Sequence, residues 1–277
     1  MKTILITGST DGIGKGTALK LAKEGHRVFL HGRSEAKVNE VVSEIKRASN
    51  NQNIKGFVAD FSDLEAVKKF SEEIKKEVPK IDILINNAGI YTTKETLTPK
   101  GLDYRMVVNY LAPYLLTTAI LPIIRNSEAP RIINLSSAAQ TPVSEETLKG
   151  MNQQSERETY AQSKLALTMW SFHLAQQEPD ITVIAVNPGS LLNTKMVKET
   201  FGQHWSPAEK GVDILHSLAM DHIHSNRSGQ YFDNDRGDYA KAHPEAYDEV
   251  KINDLLATTN SILDTIKDCS FLVKLVG

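Results

Sequence analysis

One cysteine, Cys269, is all the chain carries in 277 residues, so no internal disulfide can form. That usage fits a reducing compartment and sets a cytoplasmic expectation. Nothing beside Cys269 in the sequence marks it as an activated nucleophile. A charge surplus is missing as well: 32 Lys and Arg stand against 34 Asp and Glu, which argues against nucleic acid as a partner and against an acidic tail. The apolar run at Lys2–Thr7 is too short for a secretory leader and has no cleavage site. The only long apolar stretch, Met106–Ile124, is broken by Asn109, Pro113 and Pro122, and reads as a buried helix rather than a membrane span. Metal-ligand spacing is absent too. His216, His222 and His224 have no carboxylate or thiol to complete a set. Asp233–Asp238 resembles part of a calcium loop, but Gly237 and Pro244 fall where ligands are required. With no repeat and no break in composition, residues 1–277 read as a single domain.

What is present is a rhythm. Short apolar runs at Lys2–Ile6, Arg27–Leu30, Ile54–Val58, Ile81–Ile85, Arg131–Leu135 and Thr182–Val186 alternate with helical patterns starting near Gly12, Glu35, Asp63, Leu102 and Thr159. Continuously apolar strands belong in a sheet covered on both faces. Strand–helix repetition then predicts an α/β fold, a doubly wound parallel sheet of the Rossmann type with about seven strands, the last at Ser228–Phe232. A helix is expected from Ser206, with Ser206 as N-cap and Pro207 at its first position. A closing helix is expected over His243–Ile266, followed by an apolar tail, Cys269–Gly277.

Thr7-Gly-Ser-Thr-Asp-Gly-Ile-Gly14 sits between the first strand and its helix. Gly8 permits the tight turn, and Gly12 and Gly14 let backbone approach a pyrophosphate at a helix N-terminus. The spacing differs from G-x-G-x-x-G, but the strand–turn–helix context implies dinucleotide binding. At the end of the second strand, an acidic residue would bind the ribose 2′-hydroxyl and repel a 2′-phosphate. Gly32 and Arg33 stand there instead, and a guanidinium can hold a phosphate through paired hydrogen bonds, so NADP is the expected cofactor. Asp60, at the end of the third strand, is either an adenine contact or a helix-capping acid, although Ser62 or Asp63 can do the capping.

Asn86-Asn-Ala-Gly89 ends the fourth strand and Ser136-Ser137 the fifth. Ligands of open α/β sheets bind beyond the carboxyl ends of strands, so these segments, the glycine turn and Pro188-Gly189 converge on one edge. Tyr160 and Lys164, four apart on a helix, share one face. Together Thr7-Gly8-x-x-x-Gly12-x-Gly14, Asp60, Asn86-Asn87-Ala88-Gly89, Asn109, Ser137, Tyr160-x-x-x-Lys164 and Pro188-Gly189 resemble the short-chain dehydrogenase/reductase family over residues 1 to about 232. The resemblance implies hydride transfer between a nicotinamide and a carbonyl or alcohol. It assigns proton transfer to Tyr160, lowering of the phenol pKa and ribose binding to Lys164, a hydrogen bond to the substrate oxygen to Ser137, and a water-orienting role to Asn109. Cofactor contact is carried onto Gly8, Ser9, Thr10, Gly12, Ile13, Gly14, Arg33, Asp60, Phe61, Asn87, Ala88, Gly89, Tyr160, Lys164, Pro188, Gly189 and Leu191. Ser136 is the alternative serine, and Asn109 has a plainer reading as a residue satisfying helix backbone.

Ser137 and Tyr160 are 23 positions apart (160 − 137), farther than in compact members of the family. The extra segment, about 141–158, is either a surface insertion or a rim over the site. With Tyr160-x-x-Ser-Lys-Leu-Ala166, Arg33 and Ser228-Gly-Gln-Tyr-Phe232, it resembles the retinol-dehydrogenase-like branch, which implies lipophilic aldehydes or ketones. Leu191, Leu192, Met196, Val197, Phe201 and Trp205 form either an apolar lid, about 190–205, or ordinary packing. Helices near 102–125 and 159–178 often pair across a dimer in this family, which makes a homodimer an expectation. Two rival readings remain: reduction of a carbon–carbon double bond by the same Tyr–Lys pair, and a dinucleotide-binding regulator without turnover.

Overall fold

The computed structural model of the chain describes residues 1–202 and 205–272. Its strands are β1 (Thr3–Ile6), β2 (Arg27–Gly32), β3 (Ile54–Val58), β4 (Ile83–Asn86), β5 (Arg131–Leu135), β6 (Thr182–Asn187), β7 (Gln230–Asp233) and β8 (Asp238–Ala240). They form one sheet in the order β3-β2-β1-β4-β5-β6-β7-β8, parallel as far as β7, with β8 antiparallel. The eighth strand exceeds the expected seven. It has three residues after the Gly237 turn, too few to show a period in the sequence.

The helices are α1 (Gly12–Lys23), α2 (Glu35–Ser49), α3 (Leu64–Glu77), α4 (Tyr104–Met106), α5 (Ala112–Ile124), α6 (Glu145–Leu148), α7 (Glu156–Gln177), α8 (Lys195–Phe201), α9 (Ala208–Met220) and α10 (Glu249–Leu272). Strand pleating divides the core: Ile4 and Ile6 of β1 pack with the α1, α2 and α9 layer, and Leu5 with the opposite layer of α3, α5, α7 and α10. Parallel strands buried on both faces account for the unbroken apolar runs. Side-chain caps mark the starts of α2, α3 and α7, where Ser34, Asp63 and Ser155 accept from the backbone N–H of Lys37, Glu65 and Glu158.

Three boundaries differ from expectation. Pro207, not Ser206, is the N-cap of α9, and no side chain caps it. Ser206 is drawn away by backbone pairing, its carbonyl accepting Asn193 N–H at 2.8 Å. α7 begins at Glu156 rather than near Thr159 because Ser155 caps it. The closing helix is interrupted: Pro244–Tyr247 is a 3₁₀ turn capped by the His243 imidazole, and α10 starts afresh where Asp248 accepts from Val250 and Lys251 N–H. Cys269 to Leu272 of the expected tail belong to α10, and residues 273–277 lie outside the described residues.

Tyr104–Ile124 is long and apolar enough to cross a bilayer by length and composition. Here Met106, Leu116, Ile120 and Ile124 of that stretch are fully buried in the core. α10 packs beside it and α7. Tyr110 OH pairs with Thr259 Oγ1 at 2.8 Å, and Tyr114 OH donates to Asn260 Oδ1 at 2.9 Å. Leu255, Leu256 and Leu263 share a cluster with Trp170 and Phe172. The apolar helix face behind the dimer expectation is thus partly covered by the chain's own α10.

His31 on β2 joins three segments. Its Nδ1 accepts Gly8 N–H at 3.1 Å, so the ring proton is on Nε2, which donates to Ala59 O at 3.0 Å. Phe61 and Phe70 stack on the ring, and burial lowers its pKa to about 4. A histidine kept neutral in the fold contributes stability that is complete above the unfolded pKa near 6.5 and is lost as pH falls toward 4. Unfolding free energy is therefore expected to drop by about 3 kcal/mol more between pH 6.5 and pH 4 in the native chain than in His31→Leu; denaturant titrations at several pH values check this.

Candidate active site

The glycine turn between β1 and α1 is held from beneath. Gly8 and Gly12 are left-handed, with φ of 61° and 55°. A Cβ on Gly8 would lie 2.7 Å from Ala88 Cα, and one on Gly14 2.4 Å from Asn87 Nδ2. The side chain of Asn87 fills that space, donating to Thr7 O at 2.9 Å and Gly8 O at 2.8 Å, while Ala88 N–H reaches Thr7 Oγ1. Ser9 turns into the sheet, its hydroxyl donating to Ile6 O and accepting His31 N–H. Ile13 packs near Gly211, and the Thr10 side chain crowds Gly32. Asp11 caps α1 by accepting Gly12 N–H at 2.7 Å.

Arg33 lies exposed just past β2, with no ion-pair partner among the described residues. Asp63 caps α3, which separates Asp60 from that task. Asp60 is exposed at the end of β3 and accepts the N–H and hydroxyl of Ser62. Phe61 points inward onto His31, leaving its backbone at the sheet edge.

At the neighbouring strand ends the two serines separate. Ser136 is buried, its hydroxyl engaged with Lys164 O and Thr168 Oγ1 at 3.1 and 2.6 Å. Ser137 is partly exposed; its Oγ accepts Ala139 N–H at 3.1 Å and faces the Tyr160 hydroxyl closely enough to favour its ionisation. Burial raises the phenol's pKa, the Ser137 side chain opposes this, and Tyr91 reinforces it. The Tyr91 ring lies 4.7 Å from that of Tyr160. Lys164 is 5% exposed, donates to Leu135 O at 2.7 Å, and places Nζ 5.5 Å from the Tyr160 ring centre. Burial alone lowers its pKa to about 8.

Asn109 sits in a π-helical turn, Val107–Leu111, between α4 and α5. Its carboxamide accepts Ile90 N–H at 2.8 Å and donates to Ile90 O and Ser163 Oγ at 3.0 Å. It therefore clamps the segment after Gly89, and a Cβ on Gly89 would meet Asn109 Oδ1 at 3.4 Å and Lys164 Nζ at 3.5 Å. Pro188, Gly189 and Leu191 follow β6, with Gly189 at φ 125° and Leu191 at φ 47°. All these segments share the carboxyl edge of the sheet.

The 141–158 insertion is packed. It contains α6, Ser144 N–H donates to Gln162 of α7, and Leu148 is buried. Gly150 abuts Gly101, where a Cβ would come within 1.9 Å of the carbonyl. In the segment proposed as a lid, Leu192 is buried between Gly189 and Gly211, whereas Trp205 is exposed. No cluster suited to a metal occurs among the described residues.

The short-chain dehydrogenase family model matches residues 2–205. The chain belongs to the short-chain dehydrogenase family. Among curated proteins it is 34% identical over 245 residues to dehydrogenase/reductase SDR family member 12 of Homo sapiens, covering 83% of this chain and 76% of that protein. It is 32% identical over 270 residues to retinol dehydrogenase 13 of Mus musculus, covering 90% and 79%. Among solved structures, a short chain dehydrogenase of Escherichia coli CFT073, complexed with NADPH, superposes with a TM-score of 0.70 at 26% identity, covering 84% of this chain and 96% of that one. Salutaridine reductase of Papaver somniferum shares the fold, with a TM-score of 0.69 at 23% identity, covering 84% of this chain and 99% of that one.

In this short-chain dehydrogenase, several residues that shape the site escaped the motif reading. Tyr231 OH donates to Ser137 O at 3.0 Å, and Gln140 Nε2 donates to the same carbonyl at 2.9 Å. Arg105 is 1% exposed and ties together the Tyr91 carbonyl, Thr93 Oγ1, Asp103 and Glu156, joining the wall beside Tyr160 to the start of its helix. A lone arginine in an apolar stretch is its sequence signal. Arg105→Ala leaves the Asp103 carboxylate buried and unpaired, so a loss of about 3–5 kcal/mol in unfolding free energy is expected by denaturant titration.

Proposed function

We propose that this enzyme is an NADP(H)-dependent oxidoreductase that interconverts a lipophilic aldehyde or ketone and its alcohol, with Tyr160 as the acid/base. The observation that carries the reading is one arrangement: the buried ammonium of Lys164 stands 5.5 Å from the centre of the Tyr160 ring, and the Ser137 side chain faces the Tyr160 hydroxyl.

The turn fits a dinucleotide. Its left-handed glycines present backbone at the start of α1, and a Cβ on Gly12 would meet nothing nearer than Thr194 at 3.7 Å. Arg33 offers an unpaired guanidinium where a 2′-phosphate is expected, and this favours NADP. The NADPH complex of the related E. coli protein supports the same choice. Gly8, Gly12 and Gly14 would cradle the pyrophosphate, Asp60 and the Phe61 backbone would border the adenine, and Lys164 would hold the nicotinamide ribose. The bound nicotinamide supplies or accepts the hydride.

Ser137 donates a hydrogen bond to the substrate oxygen and keeps it within reach of Tyr160. Tyr160 delivers a proton to that oxygen during reduction and removes it during oxidation. In the charged form, Lys164 stabilises the phenolate left behind, offsetting the burial that raises the phenol's pKa. Asn109 fixes the segment carrying Gly89 and so the wall opposite Lys164. Apolar surface at Tyr91, Leu191, Met196, Val197 and Trp205 suits a lipophilic substrate. Names such as retinol dehydrogenase 13 and polyprenol dehydrogenase among the relatives support that class.

Tyr160→Phe is expected to lower turnover by roughly 10²–10⁴-fold while NADPH binding is retained. Stopped or steady-state assays on an aldehyde and ketone panel, with cofactor titration, measure both; near-native turnover in the variant rejects Tyr160 as proton donor. Cofactor choice needs a test away from Gly32, since a Cβ there would lie 2.6 Å from Thr10 and an acidic exchange would disturb the turn itself. Arg33→Ala is expected to raise KM for NADPH roughly tenfold to a hundredfold, the loss of a charge-assisted bond, with little change for NADH.

A further inference from the structure

The hairpin between β7 and β8 grips the turn after β6. Asn234 Nδ2 donates to Pro188 O at 2.8 Å, and Asn187 Nδ2 donates to both Asp233 and Asp235 at 2.9 Å. Asp235 contributes most. Its Oδ1 accepts Ser190 N–H at 2.8 Å, its Oδ2 accepts the Ser190 hydroxyl at 2.5 Å, and Lys210 Nζ stands 3.8 Å away. Burial works against its charge, but the bonds from Ser190 and Asn187, with Lys210, hold its carboxyl below the usual range.

Ser190 is the last residue before Leu191, whose φ of 47° is left-handed and costly for a side chain with a Cβ. Beyond it the chain makes an excursion that returns to its own start. Trp205 N–H bonds Leu191 O at 3.0 Å, and Asn193 N–H bonds Ser206 O at 2.8 Å. The excursion carries α8. Thr194, its N-cap, stands over Gly12, and Thr200 Oγ1 lies 3.3 Å from Thr92 Oγ1 in the segment after Tyr91. It thus reaches from the phosphate turn to the wall beside Tyr160.

We propose that Asp235 is the fixed post of this lid: a positioning residue that locks Ser190, keeps the Pro188–Gly189 floor rigid and confines lid movement to the residues beyond. The cofactor part of this proposal rests on the functional reading above, whereas the lid part stands independently. Asp235→Asn keeps the size but removes one acceptor and the charge, so its single oxygen cannot accept both Ser190 N–H, now taken by Oδ1, and the Asn187 amide and Ser190 hydroxyl, now taken by Oδ2.

The test combines limited trypsin cleavage at Lys195 and Lys198, NADPH titration by fluorescence and thermal unfolding. In Asp235→Asn, cleavage within the lid is expected to accelerate about tenfold and NADPH affinity to fall about tenfold, each the equivalent of one lost hydrogen bond to a charged group. The unfolding temperature and the cleavage elsewhere stay at native values. Ser190→Ala, which removes only the hydroxyl donor, is expected to move both readouts the same way by less, and Asp238→Asn in the same hairpin to move neither. Native lid cleavage and native NADPH affinity in folded Asp235→Asn overturn the proposal. Faster lid cleavage in a protein whose native form binds no NADPH upholds the post and rejects the cofactor reading instead.

Discussion

Lys164 is a cation buried without a carboxylate, and the arrangement of the site follows from that. Its ammonium meets a backbone carbonyl, an aromatic ring and the wall at Gly89, and no acidic side chain pairs with it among the described residues. Lowering its pKa from 10.5 to about 8 costs about 3 kcal/mol of folding free energy at neutral pH. An isolated charge in that setting is poorly solvated, so an anion formed beside it is stabilised far more than in water. In the proposed reaction Tyr160 becomes that anion. The same burial that raises the phenol's pKa would strengthen its attraction to the ammonium once the proton leaves.

Such a site works only if its walls stay fixed, and the structure fixes them from a distance. Tyr231 and Gln140 hold the Ser137 carbonyl, Asn109 holds Ile90, Asn87 and His31 hold the glycine turn, and Asp235 holds Ser190. Each is a polar group satisfied by backbone, which keeps the cleft in register without adding charge near Lys164. Arg105 fixes the wall at Tyr91 by a different means, a buried guanidinium that binds the Tyr91 carbonyl and pairs with Asp103 and Glu156. Ser137 follows β5 while Tyr160 and Lys164 stand on α7, and a second ring of hydrogen bonds sets where the strand ends point toward that helix.

The sequence carried the parts that depend on neighbours along the chain. The glycine turn, the strand-end Asn-Asn-Ala-Gly and the Tyr160–Lys164 spacing are local patterns, and the structure gathers them on one edge. The choice between Ser136 and Ser137 was open in the sequence because adjacent strand-end residues differ only in which face they present. The structure points Ser136 into α7 and Ser137 toward Tyr160. Longer-range supports were silent. Tyr231 reaches Ser137 across 94 positions and Asp235 reaches Ser190 across 45, so no spacing rule connects them. The start of α9 was misplaced for the same reason, since pairing with Asn193, not local capping, sets the position of Ser206.

The ionisation of Lys164 itself tests this account most directly. Carbon-13 NMR of lysine-labelled protein without cofactor, with the resonance assigned by its loss in Lys164→Met, gives the titration midpoint. A midpoint near 8, well below that of the exposed lysines, is the expected result. A midpoint near 10.4 would show an ammonium fully solvated or paired, and would contradict a site built on a buried, uncompensated cation.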